Sequence, residues 1–242
     1  MYTKNVIGID IGGTKIRAGL WNGKRLIKIR HLTTPKSQKQ FVKTLRNLVT
    51  YYGKTNQRVT HIGIGIAGVV YGTTLKYSPN MLFLKNFDFR TIFSRFHKLK
   101  IDNDARAYAR GEYLKGAGFR AKSLLVITLG TGIGRAFGKN GKIQLIKRFE
   151  YPEKWEKEYQ KIKSKAVGSL LEVFLVEKLT PILKKYQPTK LVIGGGVTKA
   201  RQGKFVTSLT KQFRLQGFKF TIAKAKLRDD AAILGAVYLF KK

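Results

Sequence analysis

Two stretches of the chain share one plan. Ile9 to Leu20 reads IDIGGTKIRAGL, and Leu129 to Gly138 reads LGTGIGRAFG. Each is an apolar strand that runs into a glycine turn and returns at once. Each return strand is followed by an Asn-Gly hairpin signal, at Asn22–Gly23 and Asn140–Gly141. Strand, glycine turn and strand, repeated across a chain, point to duplicated halves. KRLIKIRHL adds a third strand to the first unit. Three strands with short turns form an antiparallel meander, which a simple βαβ array does not begin with.

The rest of the chain is read as α/β. Phe41, Leu45, Leu48 and Tyr52 recur at helical spacing, which predicts a helix from about Ser37 to Tyr52. VTHIGIGIAGVVY reads as one buried strand, and SPNMLFLKNFDF as a loop leading to a helix around Arg90 to Phe96. LKIDND is a short strand, and ARAYARGEYLKGAG a helix that stops near Gly116–Gly118. EYPEKWEKEYQKIKSK reads as polar, irregular and exposed. From Val167, the positions Leu170, Leu171, Phe174, Leu179, Ile182 and Leu183 trace a long amphipathic helix. KLVIGGG is a strand, Lys204 to Phe213 a helix and FKFTIAKAK a strand. DDAAILGAVYLF is a closing helix opened by acids. The first domain is expected at 1–117 and the second at 118–242, with the closing helix allowed to cross back.

Three glycine clusters follow apolar strands: Asp10 to Thr14, Gly130 to Gly134, and Gly194 to Gly196. A polyphosphate needs backbone amides close to its oxygens, and a β-carbon would hold the chain away. Thr14 and Thr131 add hydroxyl donors, and Lys15 is either a phosphate cation or a solvated flank. A lone DIGGT reads as a core hairpin sooner than as a phosphate loop; three such loops in order favour phosphate. Asp10 repels phosphate directly and suits Mg²⁺, held directly or through water. GIGIAG, Gly63 to Gly68, spells G-x-G-x-x-G but lies within a strand and precedes no helix, so it is not a dinucleotide fingerprint. No Walker-type loop is present. His31, His61 and His97 stand apart and read as strand-face or surface residues. Asp104, before an alanine-rich helix, reads both as an N-cap and as a base aimed at a substrate hydroxyl. Asp102, two positions back, is a further carboxylate without an assigned role.

The charge is extreme. Lys+Arg number 49 against 13 Asp+Glu, a formal net charge of +36. Such a surface attracts polyanions and binds nucleic acid non-specifically at low salt. The bases are spread along the whole chain, and no recognition module accompanies them. The absence of cysteine excludes disulfides and thiolate zinc sites. No leader and no apolar run long enough for a membrane span are found, so the expected location is the cytoplasm.

The order of motifs resembles the ROK family of bacterial sugar kinases and repressors, relatives of the actin-like ATPases. IGIDIGGTKIRAGL looks like its first phosphate motif. GIGIAG is similar to the family's strand motif near the sugar, with Ala67 in the usual proline position. SPNM is similar to the loop before the sugar site, and IDNDARAYARGE to the family's ENDANAAALGE. LGTGIG is similar to the second phosphate motif, LVIGGGV to the adenosine-side motif, and DDAAILGAVYL to the closing helix. The resemblance implies an actin-like fold of two lobes with duplicated mixed sheets. ATP-Mg²⁺ is then expected between the lobes, touched by Asp10, Gly12, Gly13, Thr14, Lys15, Gly130, Thr131 and Gly132, with Gly194, Gly195 and Gly196 near the nucleoside. It implies Gly65, Asn80 and Asn103 at the sugar and Asp104 as the catalytic base. Family members are often dimers. The chain departs from the pattern after GTGIG: the Glu-x-x-His segment and the cysteine-rich zinc motif are missing. Glu150 or Glu153 stands in for the lost sugar glutamate, and spacing does not choose between them. Arg135 enters where small residues are common. A rival reading from another class is a non-catalytic nucleotide-binding scaffold or a basic, nucleic-acid-associated protein.

Overall fold

The hairpin at the start of the chain seeds a five-stranded sheet. In a computed structural model, which describes residues 5–54, 59–93, 98–146, 149–150, 152–163, 169–197 and 204–241, β1 (Val6–Ile11) pairs antiparallel with β2 (Lys15–Trp21), and β2 with β3 (Leu26–Thr33). On its other side β1 pairs parallel with β4 (His61–Ile66), and β4 with β8 (Lys98–Asn103). The order is β3-β2-β1-β4-β8. A second sheet repeats this plan strand for strand. β9 (Ser123–Leu129), β10 (Ile133–Lys139) and β11 (Lys142–Ile143) form the meander, and β12 (Lys190–Gly194) and β13 (Thr221–Lys224) the parallel wing. Its order is β11-β10-β9-β12-β13. The expected duplication of mixed sheets is therefore present.

The chain divides into two compact units. One holds Met1–Gly111 with Asp230–Lys242, the other Glu112–Asp229. The boundary falls inside a helix, earlier than the glycine stop signal on which the sequence reading relied.

In the first unit, α1 (Gln38–Gly53) forms as its spacing predicts. Ser37 caps it, and Phe41, Leu45, Leu48, Val49 and Tyr52 are its buried stripe. The expected single strand VTHIGIGIAGVVY is two. Gly68 breaks it at φ +134°, and a β-carbon there would lie 2.3 Å from the Tyr77 carbonyl oxygen. Beyond the break, β5 (Val69–Tyr71), β6 (Thr74–Tyr77) and β7 (Phe87–Asp88) make a small sheet in a stretch read partly as loop. A 3₁₀ turn (Leu82–Leu84) and α2 (Arg90–Phe93) complete it. Asp88 accepts bonds from the Arg90 amide and guanidinium and from Thr73, and these hold its carboxyl down at about 2.

The closing helix α7 (Asp230–Val237) packs on β1 and β4. All of Ala231 to Val237 is buried. The helix comes close because its neighbours lack β-carbons. One added at Gly63 would lie 2.0 Å from the Ala236 carbonyl oxygen, and one at Gly111 2.0 Å from that of Ala231. Gly111→Ala is therefore expected to destabilise the protein by about 1–3 kcal/mol, the range for overpacking. Gly53→Ala, in a helix with open space at that position, should be neutral or mildly stabilising. Urea denaturation of both variants checks the contrast.

The second unit has its own core of Leu125, Ile127, Leu175, Leu179, Leu191, Ile193 and Leu209, among others. Two corrections arise here. The segment read as irregular and exposed is a helix, α4 (Glu153–Lys163), whose Tyr159 is fully buried while Trp155 and Ile162 pack on the core. In α5 (Ser169–Tyr186) the buried face is Leu171, Phe174, Leu175, Leu179, Ile182 and Leu183, while Leu170 points to solvent. Val167, the expected start of that helix, lies outside the described residues. α6 (Lys204–Leu215) buries Phe205, Leu209 and Phe213.

Glu112, on α3 (Asp104–Lys115), is wholly buried. Its carboxylate accepts the backbone amides of Ala117 at 2.7 Å, Lys226 at 3.1 Å and Leu227 at 2.7 Å. Among the described residues, no helix is long and apolar enough to cross a membrane.

Candidate active site

The parallel strands of the first unit end along one edge. Asp10 lies beside Gly65, and Gly65 beside Asp102; one step on, Ile11, Ile66 and Asn103 are in register. The loops that leave β1, β4 and β8 therefore open from a common edge, the usual place for a ligand in such a sheet. This edge gathers Asp10, Gly12, Gly13, Thr14, Gly65, Asn103 and Asp104.

The first glycine loop is a closed hairpin. The Gly12 amide donates to the Lys15 carbonyl at 2.9 Å, so it is not offered to a ligand as the sequence reading expected. Thr34 fastens the loop from outside: its amide donates to Thr14 and its hydroxyl to the Gly12 carbonyl, at 3.0 and 2.7 Å. Lys36 Nζ donates to the Gly13 carbonyl at 3.2 Å, while Lys15 is exposed. Asn80 sits against the loop, since a β-carbon on Gly13 would lie 2.5 Å from that of Asn80. Nearby Ser78 is buried, and its Oγ has no hydrogen-bond partner among the described residues.

Asp10 faces Arg17 across the strand pair, with a guanidinium nitrogen 3.5 Å from its carboxylate. It is a hard oxygen donor at the loop and suits Mg²⁺, which takes one or two carboxylates and keeps waters. Among the described residues, no group of three or more His, Cys, Asp and Glu gathers as a metal cluster.

The double reading of Asp104 separates here. Asn103 is the cap: its Oδ1 accepts the amides of Ala105 at 2.9 Å and Arg106 at 3.2 Å. Its Nδ2 donates to the Gly68 carbonyl at 3.0 Å, and its side chain also hydrogen-bonds the Asp104 carboxylate. Asp104 is thereby released from capping the turn; its carboxylate accepts the Ala105 amide at 2.9 Å, its own amide and the Asn103 side chain. Its side chain retains a partial opening to solvent, yet protein crowds the carboxylate. This desolvation pushes its pKa above the usual carboxylate range, against the pull of its hydrogen bonds and of Arg106. Asp102 is engaged otherwise. It accepts from the Asn103 amide, Arg106 Nε and an Arg110 guanidinium nitrogen, which fixes the start of the helix.

His31 is exposed on β3, and His61 packs its ring on Phe240. Burial, with Lys98 and Lys100 adding to it, lowers the His61 pKa. His97 lies outside the described residues.

In the second unit, the Gly130–Gly132 loop leaves β9 and the Gly194–Gly196 loop leaves β12, its parallel neighbour. Gly195 has φ +98°, and a β-carbon would lie 2.2 Å from the Leu129 carbonyl oxygen, so these loops touch. Gly196 faces open space. Arg135 lies between the rings of Phe149 and Trp155, at 4.7 and 4.3 Å. Its Nε donates to the Phe149 carbonyl at 2.6 Å, and burial lowers its pKa to about 10. Glu150 follows Phe149, and its carbonyl accepts the Arg135 amide at 3.2 Å. Glu153 is exposed at the start of α4, 3.8 Å from Lys157, an arrangement of a solvated helix face. Sequence reasoning passed over Glu156, Tyr159 and Gln160, which contact the Gly130–Gly132 loop. The Trp155, Tyr159, Ile162 spacing was the available signal for their helix.

The ROK family model matches residues 6–145. The Streptomyces coelicolor glucokinase is 33% identical over 132 residues, covering 53% of this chain and 41% of that protein. The chain thus matches less than half the length of this relative. A Mycobacterium leprae polyphosphate glucokinase is 27% identical over 246 residues, covering 95% of this chain and 72% of that protein. Among solved structures, a ROK family glucokinase from Streptomyces griseus in complex with glucose and AMPPNP aligns with a TM-score of 0.80 at 22% identity, covering 98% and 99% of the two chains. The fold is that of the actin-like ATPases.

Proposed function

The chain belongs to the ROK family, and from that premise we propose that it is a kinase transferring the terminal phosphoryl group of ATP to a sugar hydroxyl, in the manner of a glucokinase. The observation that carries this reading is Asp104. It stands at the carboxyl edge of the sheet, is relieved of capping by Asn103, and has a raised pKa suited to a base.

In this reading the sugar lies along the edge that holds Gly65, Asn80, Asn103 and Asp104. The Asp104 carboxylate accepts the proton of the attacking hydroxyl as the oxygen bonds to phosphorus. Glu150, held beside the Arg135 clamp, is favoured over solvated Glu153 as a sugar ligand. Gly13, Thr14 and Lys15 meet phosphate in the first unit. Thr131 and Gly132 do so in the second, with Gly194 to Gly196 toward the nucleoside. Asp10 would hold Mg²⁺, directly or through water, and the ion would offset the charge of the phosphates.

ADP release is the test, with ATP, Mg²⁺ and a panel of hexoses and N-acetylhexosamines. Release that depends on one sugar is expected; none with any sugar would overturn the reading.

A second donor is favoured by two observations, the net charge of +36 and the similarity to a polyphosphate glucokinase over most of the chain. Inorganic polyphosphate in place of ATP should then support turnover, with a KM that climbs steeply with salt. A failure of both donors, with tight binding to mixed-sequence DNA at physiological salt, would favour a basic nucleic-acid-associated protein.

A further inference from the structure

Helix α4 holds the second glycine loop by its carbonyls. The Tyr159 hydroxyl donates to the Gly130 carbonyl at 3.0 Å. Gln160 Nε2 and Lys163 Nζ both donate to the Thr131 carbonyl at 2.7 Å. The loop closes through the Gly130 amide on the Gly132 carbonyl at 2.9 Å, and the Ile133 amide donates to Glu156 Oε2 at 2.8 Å.

The direction of these bonds has a consequence. In a planar trans peptide the carbonyl and the following amide hydrogen point opposite ways. The Gly130 carbonyl shares its peptide with the Thr131 amide, and the Thr131 carbonyl shares its peptide with the Gly132 amide. Drawing both carbonyls to α4 turns both amides away from it. These two amides have no hydrogen-bond partner among the described residues. Successive amides aimed in one direction form an anion-binding concavity. A β-carbon at Gly132 would lie 2.9 Å from Glu156 Oε2, so the loop is seated closely on the helix.

We propose that Tyr159, Gln160 and Glu156 are positioning residues that aim the Thr131 and Gly132 amides at a phosphate of the phosphoryl donor. This rests on the kinase reading only in naming the ligand as the donor. Glu156 grips the side of the loop opposite those amides, where its charge opposes phosphate least.

Three variants test it: Tyr159→Phe, which removes one hydroxyl, Gln160→Ala, at an exposed position, and the two combined. The double variant is expected to raise the KM for ATP about tenfold, the scale of one or two lost hydrogen bonds, and to leave the sugar KM unchanged. Isothermal titration with the ATP analogue AMPPNP should show a matching loss of affinity. Glu156→Gln, which keeps an acceptor for the Ile133 amide, should retain most donor affinity, whereas Glu156→Ala should not. Unchanged donor KM and affinity in Gln160→Ala and in the double variant would overturn the proposal. A rise confined to the sugar KM would overturn it too, and would assign α4 to the acceptor. If Tyr159→Phe proves unstable, Gln160→Ala with Glu156→Gln decides the matter alone. A wild-type protein that neither turns over nor binds AMPPNP would instead sink the kinase reading, before any variant is compared.

Discussion

Asp104→Asn should lower turnover by about a hundredfold or more, the range for losing a positioned base, while nucleotide affinity barely moves. The same change should raise the melting temperature at neutral pH. Desolvation raises the Asp104 pKa in the folded protein. The folded state then binds this proton more tightly than the unfolded chain, so ionisation works against folding. That penalty is fully present above the folded pKa. It fades as pH falls through that value toward the unfolded one, near 4. Asparagine removes the penalty, so its stabilisation should be largest at neutral pH and vanish in acid. The acid limb of the kcat profile of the unaltered enzyme should lie above the ordinary carboxylate range. Steady-state kinetics and thermal melts across pH check both statements together. Near-normal turnover in Asp104→Asn would remove it as the base.

The largest loss of stability is expected from Glu112→Ala. Three backbone amides lose their buried acceptor at once, those of Ala117, Lys226 and Leu227. A hydrogen bond to a charged group contributes about 1.5–3 kcal/mol net, so a total of about 3 kcal/mol or more follows even where water reaches these partly exposed donors. Glu112→Gln keeps one acceptor oxygen and should fall between the two. Urea midpoints of the three proteins measure the series. An unchanged midpoint for Glu112→Ala would show that these amides find other partners.

These two residues mark how far the chain could be read before its structure. The glycine hairpins and the sheet duplication were legible, because turn chemistry and alternation are local. Asp104 was legible as a residue of interest, but its freedom was not. Asn and Asp cap helices about equally well, and only the register of β8 into α3 shows that Asn103 takes the amides. Glu112 was opaque. A carboxylate on a helix ordinarily faces water, and one of its partners is 114 residues away. The strands of the small sheet, down to two residues at Phe87–Asp88, are too short to show alternation. Helix α4 was hidden by its lysines and glutamates, although Trp155, Tyr159 and Ile162 kept the spacing of a buried face.

The seat of α7 bears on the order in which the protein can be made. Strands β1 and β4 are made before the Glu112–Asp229 unit, but Ala231 to Val237, which cover them, are made after it. The unit of Glu112–Asp229 is continuous and can close while synthesis proceeds. The earlier-made sheet waits with Gly8 and Gly63 uncovered until α7 is made. The unit begun earlier is thus completed later than the continuous unit inserted within it, and through that interval its glycine strands stay without their cover.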